Sequence, residues 1–343
     1  MMDIRYPRPL VAGDLIGVTA PSSGVAEQHH ARLNFAIETL TEQGFRVEVG
    51  DCMDGATHIS APVEQRAAEF MRMLLDPRVR AIVPPWGGET AIDLIAHLDF
   101  DAIAAAEPTW VIGYSDISTL LTPITLLTGV ATIHGSNLMD TPYATPSSLV
   151  NWLIVAGQPI GSSFRQSSPN VHRINDFDDW QANPEVTDHT WNGTGQWVRL
   201  DGGTNPVDVS GRLIGGCIET LANLAGTRYA DTSRLRGEAD ASLLVYIEAA
   251  GEEATAICRY LHGMRLAGFF DGAAAVLVGR TGANDSPTLT QSEAVLDALG
   301  WLGIPIIGNV ECGHVPPQLP IVNGALGRLV FTDSERFLQQ TLT

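Results

Sequence analysis

Cysteine is scarce and scattered in this chain. Cys52, Cys217, Cys258 and Cys312 form no CxxC pair and sit in apolar or glycine-rich stretches. Such spacing argues against a zinc knuckle or a disulfide scaffold and leaves buried free thiols as the default. Basic residues are also few, 20 Lys plus Arg against 39 Asp plus Glu, for a formal net charge of −19. Nucleic acids and anionic membranes want a basic face, so both are disfavoured as partners. No apolar run reaches the length of a membrane span, and the opening MMDIRYPRPL has no apolar signal-peptide core. A cytoplasmic, reducing location is therefore expected, in which Asn192-Gly193-Thr194 is a turn rather than a glycosylation acceptor. Walker loops, a GxGxxG after a strand, HExxH pairs and internal repeats are all missing. Nucleotide-triphosphate, dinucleotide and metal-centred chemistry are disfavoured accordingly, and no cofactor is expected.

What is present is core and alternation. With 45% hydrophobic and 17% charged residues over 343 positions, the chain can bury one large core or two. LIGVTAPSS (15–23), FRVEVG, VRAIVPPWGG and TWVIGYSD read as strands; 28–43, 62–75, 89–97 and 116–127 read as helices between or after them. Strands this continuously apolar, alternating with helices, predict an α/β fold with a parallel sheet covered on both faces. Ligands of such sheets bind at the carboxyl ends of strands. Three strand ends carry unusual loops, APSSG, PPWGGET and GYSD, and are candidates to converge.

From about 164 to 206 the composition turns polar and turn-rich, yet it holds Trp180, Trp191 and Trp197. Disordered linkers are aromatic-poor, so this stretch reads as an ordered excursion or lid. Regular structure then resumes. GRLIGGCIETLANLAGT reads as strand, glycine turn and helix; SLLVYIE as a strand ending at Glu248; AAAVLVGRTG and PIIGNVECGHV as strands, with 290–301 a helix.

Three residues at predicted strand ends have the right types for nucleophilic catalysis: Ser115, Glu248 and His314. A serine hydroxyl needs a base to take its proton, and histidine serves best when a carboxylate fixes its tautomer. The order Ser, acid, His is that of α/β-hydrolases, though the flanks are not GxSxG. The plainer alternative is that Asp116 caps a helix, Ser115 is polar at a turn, Glu248 is a surface acid and His314 a loop residue. An oxyanion needs preorganised N–H donors. Asp116, at a helix start, and Gly87 or Gly88 in the WGGE loop are candidates; a plain glycine turn is the alternative. His134, in TIHGSN after a strand, is a further candidate to line the cleft.

Taken together, GDLIGVTAPSSG, PPWGGETAIDLIAHLDF, VIGYSDIS, TIHGSN, GRLIGGCIETLANLAGT, LVYIEAAGEE and GNVECGHVPPQLPIVNGA resemble the LD-carboxypeptidase / microcin C self-immunity serine peptidases. The resemblance runs from about residue 5 to 335. It implies Ser115 as nucleophile, Glu248 as acid and His314 as base, with an oxyanion hole from the N–H of Asp116 and of Gly88 or Gly87. It implies a class I glutamine amidotransferase-like N-terminal domain over 1–165, an aromatic-containing connection over 166–206, and a smaller mixed α/β domain over 207–343. It also suggests a homodimer. One branch of the family trims D-alanine from murein tetrapeptides; the other cleaves the amide between an aminoacyl or peptidyl group and a modified nucleotide. The tryptophan-bearing excursion favours the second branch. Trp180 is the first candidate to stack on a base and Trp191 the second, worth about 1–3 kcal/mol; packing anchors are the alternative. Glu219 is a candidate to reach the cleft. The competing expectations are a murein-recycling carboxypeptidase and, from another class, a protein that binds an aminoacyl-nucleotide without cutting it.

Overall fold

The computed structural model describes residues 3–174, 177–236 and 242–343. Its first sheet is built from β1 (Leu15–Val18), β2 (Arg46–Val49), β3 (Val79–Ile82), β4 (Trp110–Gly113) and β5 (Thr132–His134). These five pair in parallel in the order 5-4-3-1-2. Strands β3, β4 and β5 are buried at every position. That explains their unbroken apolar reading, because helices cover both faces of such a sheet. The crossovers include α1 (His30–Glu42), α2 (Val63–Leu75), α3 (Phe100–Ala105) and α4 (Ser118–Thr128), and α5 (Trp152–Ala156) follows β5. The helix expected over 89–97 is a 3-10 stretch, Ala91–His97.

The second sheet collects β6 (Ser163–Gln166), β9 (Val198–Arg199), β10 (Val207–Cys217), β11 (Leu243–Glu248), β12 (Ala273–Gly279), β13 (Ile306–Val310), β15 (Leu326–Phe331) and β16 (Arg336–Thr341). Its centre, β10 to β13, is parallel, and antiparallel strands close both edges. A small ladder joins β7 (Val171–His172) to β8 (Gly193–Thr194). Helices α6 (Ile218–Leu221), α7 (Ser233–Arg236), α8 (Ala254–Leu266) and α9 (Gln291–Leu299) complete the fold. The α/β class with parallel sheets is as read from the sequence. The expected division at 165/166 runs through β6, which pairs with β16 of the second sheet. In return, β14 (Ile321–Asn323) leaves the C-terminal half and pairs antiparallel with β5.

No turn forms at Gly215-Gly216; β10 runs through both. A side chain on Gly215 would meet the Tyr246 carbonyl oxygen at 1.7 Å. The missing Cβ serves close strand approach here, a use of glycine that a sequence does not distinguish from a turn. Helix α4 lies between the sheets. Ten of its eleven residues are buried, so the helix is enclosed on every side and carries no charged residue, as suits an internal helix. Its polar residues are satisfied across the interface: Thr122 Oγ1 donates to Gly215 O at 2.9 Å, and Cys217 N donates to Ser118 Oγ at 3.1 Å.

The described residues of the polar excursion are anchored to the body of the fold. Trp197 is fully buried, and its Nε1–H donates to Glu311 Oε2 at 2.6 Å. Ser168 Oγ donates to the other oxygen of the same carboxylate at 2.6 Å, and Arg280 lies 3.5 Å away. Arg32 of α1, also buried, donates to the carbonyls of Met139, Pro184 and Val186. Removing the Trp197 ring leaves a large cavity and an unpaired carboxylate oxygen. Trp197→Ala is expected to cost about 3–5 kcal/mol in chemical denaturation; a loss under about 1 kcal/mol would show that this anchor is dispensable.

Candidate active site

Strand β4 ends at Gly113, and Ser115 follows with φ of +63°, a left-handed conformation for a residue with a Cβ. Such a conformation costs on the order of 1–3 kcal/mol and persists only where its surroundings enforce it. The Asp116 carboxylate supplies much of the enforcement. Its Oδ2 accepts from Ser22 Oγ at 2.6 Å and from Ala91 N at 2.8 Å, and its Oδ1 accepts from Thr119 Oγ1 at 3.3 Å. These bonds tie the APSSG and PPWGGET loops to the elbow, so the three loops converge. Asp116 braces the elbow rather than capping a helix.

Ser115 Oγ donates to His314 Nε2 at 2.9 Å, and His314 Nδ1 donates to Glu248 Oε2 at 2.7 Å. The three side chains come from the carboxyl ends of β4 and β11 and from the loop after β13. Gln318 clasps the backbone of Gly313, fixing the loop that carries His314. Glu248 is fully buried. Burial opposes its ionisation, yet the neighbouring imidazoles of His314 and His134 hold its pKa down at about 2. Burial likewise pulls His314 down, but the Glu248 charge outweighs it and raises the imidazole above its ordinary value. An anionic carboxylate beside an imidazole that favours its protonated form is the electrostatic arrangement a serine needs for activation.

Gly87 presses on the elbow. A Cβ there would lie 2.9 Å from Ser115 Cβ, 3.1 Å from its Oγ and 3.2 Å from Asp116 N. The next residue, Gly88, has φ of +149°, and its Cβ would meet Ser22 Oγ at 2.3 Å. Among the described residues, the N–H groups of Gly88 and Asp116 donate to no protein acceptor. Both residues line the cleft that holds Ser115, and free N–H donors there suit an oxyanion.

Two clefts open on either side of His314. The first, about 290 Å³, is walled by Trp86, Tyr114, Tyr143, Trp180 and Asp140 among others. Trp180 Nε1 donates to Tyr143 Oη at 2.8 Å, and Arg32 lies 5.1 Å from the Trp180 ring on the side of α1. Tyr114 packs edge-on to His314 at 5.1 Å and donates to Asp140 Oδ2 at 3.3 Å. Burial pushes the Asp140 carboxyl up to about 6. The second cleft, about 520 Å³, holds Ser115 itself with Glu89, Cys217, Glu219, Glu252 and Tyr260. Glu219 reaches it as expected. Its Oε1 accepts the N–H groups of Ala250, Gly251 and Glu252 at 2.8, 3.1 and 3.3 Å.

Two expectations are corrected. Trp191 lines a different depression, against His189, and not the cleft of His314. His134 does not line the cleft either; it is fully buried behind Glu248. Both sit one layer away from the expected place, because the sequence shows nearness along the chain and not which face a side chain takes. Sequence reading passed over Tyr114, Asp140, Tyr143 and Arg32. Tyr114 was in plain view inside GYSD; the others carry no local signal.

A strained serine hydrogen-bonded to a carboxylate-braced histidine, at the strand ends of an α/β fold, defines a serine-hydrolase type of site. A profile of the LD-carboxypeptidase N-terminal domain matches residues 16–135, and one of the LD-carboxypeptidase C-terminal domain matches 210–329. The chain belongs to the LD-carboxypeptidase family of serine peptidases. It is 24% identical over 331 residues to the microcin C7 self-immunity protein MccF of Escherichia coli, covering 92% of this chain and 90% of that one. It is also 24% identical over 324 residues to a Bacillus subtilis (strain 168) protein named probable murein peptide carboxypeptidase, covering 93% and 89%. Solved structures share the fold. Wild-type MccF without ligand superposes with a TM-score of 0.81 at 22% identity over 97% of each chain. An MccF-like protein from Bacillus anthracis gives 0.81 at 21% identity over 98% and 99%.

Gly87→Ala puts a methyl group against the serine without touching either sheet. The variant is expected to fold, while labelling of Ser115 by a fluorophosphonate probe slows about 100-fold. Unchanged labelling would mean that this close approach is not needed.

Proposed function

We propose that the chain is a serine amidase that cleaves the amide between an aminoacyl or peptidyl group and a modified nucleotide. The observation that carries this reading is the Ser115–His314–Glu248 chain of hydrogen bonds opening onto an aromatic-walled cleft. Ser115 Oγ attacks the amide carbonyl carbon as His314 Nε2 takes its proton. Glu248 holds the ring in the tautomer that leaves Nε2 free and offsets the imidazolium charge. The carbonyl oxygen, now anionic, is received by the N–H groups of Asp116 and Gly88. The C–N bond breaks as His314 returns the proton to the leaving nitrogen. Water, deprotonated by His314, then releases the acyl group from Ser115. Every proton transfer in this sequence is served by one imidazole.

The aromatic cleft suits the leaving group, with Trp180 offering a face for a base. MccF has been solved with aspartyl sulfamoyl adenosine and with glutamyl sulfamoyl guanosine, which supports a nucleotide-bearing substrate class here. The two active sites differ in a charged residue. An MccF active-site mutant replaces a serine, an asparagine and a lysine. This chain contains no lysine at all. Its cleft around Ser115 carries Glu89, Glu219 and Glu252, and among the described residues no arginine lines it. Like charges brought together in such a cleft repel, so neutral or cationic acyl groups fit it and acidic ones do not. The murein carboxypeptidase reading is favoured by the Bacillus subtilis relative. A glutamine amidotransferase-like N-terminal sheet and a homodimer join this reading from the family resemblance, and a cytoplasmic location from the cysteine content and the lack of an apolar signal-peptide core.

Ser115→Ala is expected to abolish turnover of an aminoacyl-sulfamoyl adenosine, read by mass spectrometry of the products. Intact ligand with the wild-type protein would indicate a binder, and release of D-alanine from a murein tetrapeptide in its place would indicate the recycling enzyme. Within the nucleotide series, the lysyl substrate is expected to exceed the aspartyl one in kcat/KM by at least about tenfold, the equivalent of roughly 1.4 kcal/mol. Equal values would remove the acidic-cleft argument and leave the serine mechanism standing.

A further inference from the structure

Glu248 uses only one of its two oxygens in the triad. Oε2 accepts from His314, whereas Oε1 is buried and has no hydrogen-bond partner among the described residues. On its other side stands His134, at the carboxyl end of β5. Its ring is fully buried, and among the described residues neither nitrogen has a hydrogen-bond partner. His134 Nε2 lies 3.9 Å from Glu248 Oε1. The ring is held edge-on by Tyr246 at 5.1 Å and Tyr114 at 6.4 Å.

Buried polar atoms without partners are costly, and a bare carboxylate oxygen is among the costliest. Here a donor and an acceptor that each lack a partner face one another. A shift of about 1 Å brings them to hydrogen-bond distance, since N–H···O bonds run at 2.7–3.2 Å. We propose that His134 is a positioning residue of the reaction: its Nε2–H donates to Glu248 Oε1, so that the triad carboxylate is clamped between two imidazoles. This rests on the serine mechanism proposed above. It assigns His134 no contact with substrate. Its effect is to stop the carboxylate from rotating, and to keep it anionic while the His314 ring gains and loses its proton.

Other titratable groups bear on the same carboxylate. Tyr246 lies on β11 itself, Cys217 at the end of β10, Cys312 beside the His314 loop, and Tyr114 after β4. Burial raises the pKa of all four, so none carries charge near neutrality; Tyr246 Oη donates to Asn323 Oδ1, Tyr114 Oη to Asp140 Oδ2 and Cys217 Sγ to Glu219 Oε2, so these donors are already engaged elsewhere.

The test compares His134→Phe, which keeps a planar ring and loses the donor, with His134→Asn, which keeps an N–H. For His134→Phe, kcat on the cleavable substrate is expected to fall about 10–100-fold, the range seen when supporting groups around a site are removed, with KM within about twofold. The acid limb of its pH profile moves to higher pH, because the ionised carboxylate has lost a donor. His134→Asn is expected to restore most of kcat and the wild-type limb. A merely structural histidine would lower Tm in both variants and leave the pH profile unmoved, and that result overturns the proposal. Equal loss of kcat in both variants overturns it as well.

A second measurement does not depend on turnover. The downfield proton resonance of the His314 Nδ1–H···Oε2 bond should persist in Ser115→Ala and shift or broaden in the double variant with His134→Phe. An unchanged resonance in the double variant overturns the proposal. Full amidase activity in Ser115→Ala, with the resonance still sensitive to residue 134, would instead reject the serine mechanism.

Discussion

A single ionised carboxylate, sealed from water, is the constraint around which the site is arranged. Glu248 sits at the end of a strand that is buried at all six positions. Moving such a charge out of water is unfavourable by several kcal/mol unless donors meet it. The fold therefore brings imidazoles to it from elements far apart in the chain. His314 arrives on the loop after β13, and its other nitrogen is then fixed toward the Ser115 hydroxyl. Without the carboxylate, nothing would select the tautomer that turns an ordinary hydroxyl toward a base. Electrostatics at one atom thus sets the geometry at another about two side chains away.

A second carboxylate does the mechanical part. Asp116 is almost fully buried, and its carboxylate is bonded to the surrounding loops rather than to the triad. Its bonds to Ser22, Ala91 and Thr119 join three loops into one rim. The left-handed backbone at Ser115 is tolerable because this rim and the glycine loop beside it leave no relaxed alternative. The two acids illustrate how environment divides labour between like groups: one tunes a proton, the other holds a bend.

Much of this was legible in the sequence, for identifiable reasons. The continuous apolar runs at β3 and β4 follow from burial on both sheet faces, so strand and parallel sheet could be read directly. Ser115, Glu248 and His314 stood out because each closes such a run. Order in the tryptophan-bearing excursion was legible from its aromatics, and Trp197 on Glu311 is the physical basis. Side-chain facing was not legible. His134 and Trp191 each lie within a residue or two of segments that border the site, yet a turn of the backbone sends them elsewhere. Gly215-Gly216 looks like a turn in sequence, because glycine permits both tight turns and close strand contact, and β10 uses the second. Arg32 and Tyr143 became visible only when α1 and the excursion met in three dimensions.

The return of β14 into the first sheet has a topological outcome. The segment just after His314 is stitched beside β5, the strand that bears His134, and forms the edge of the first sheet. A chain cut between the two family segments would yield an N-terminal piece with an unpaired β5 edge and a C-terminal piece with a surplus strand. The two pieces would be complementary fragments, each carrying the missing seam of the other, and the nucleophile and its base would meet only once that seam had closed.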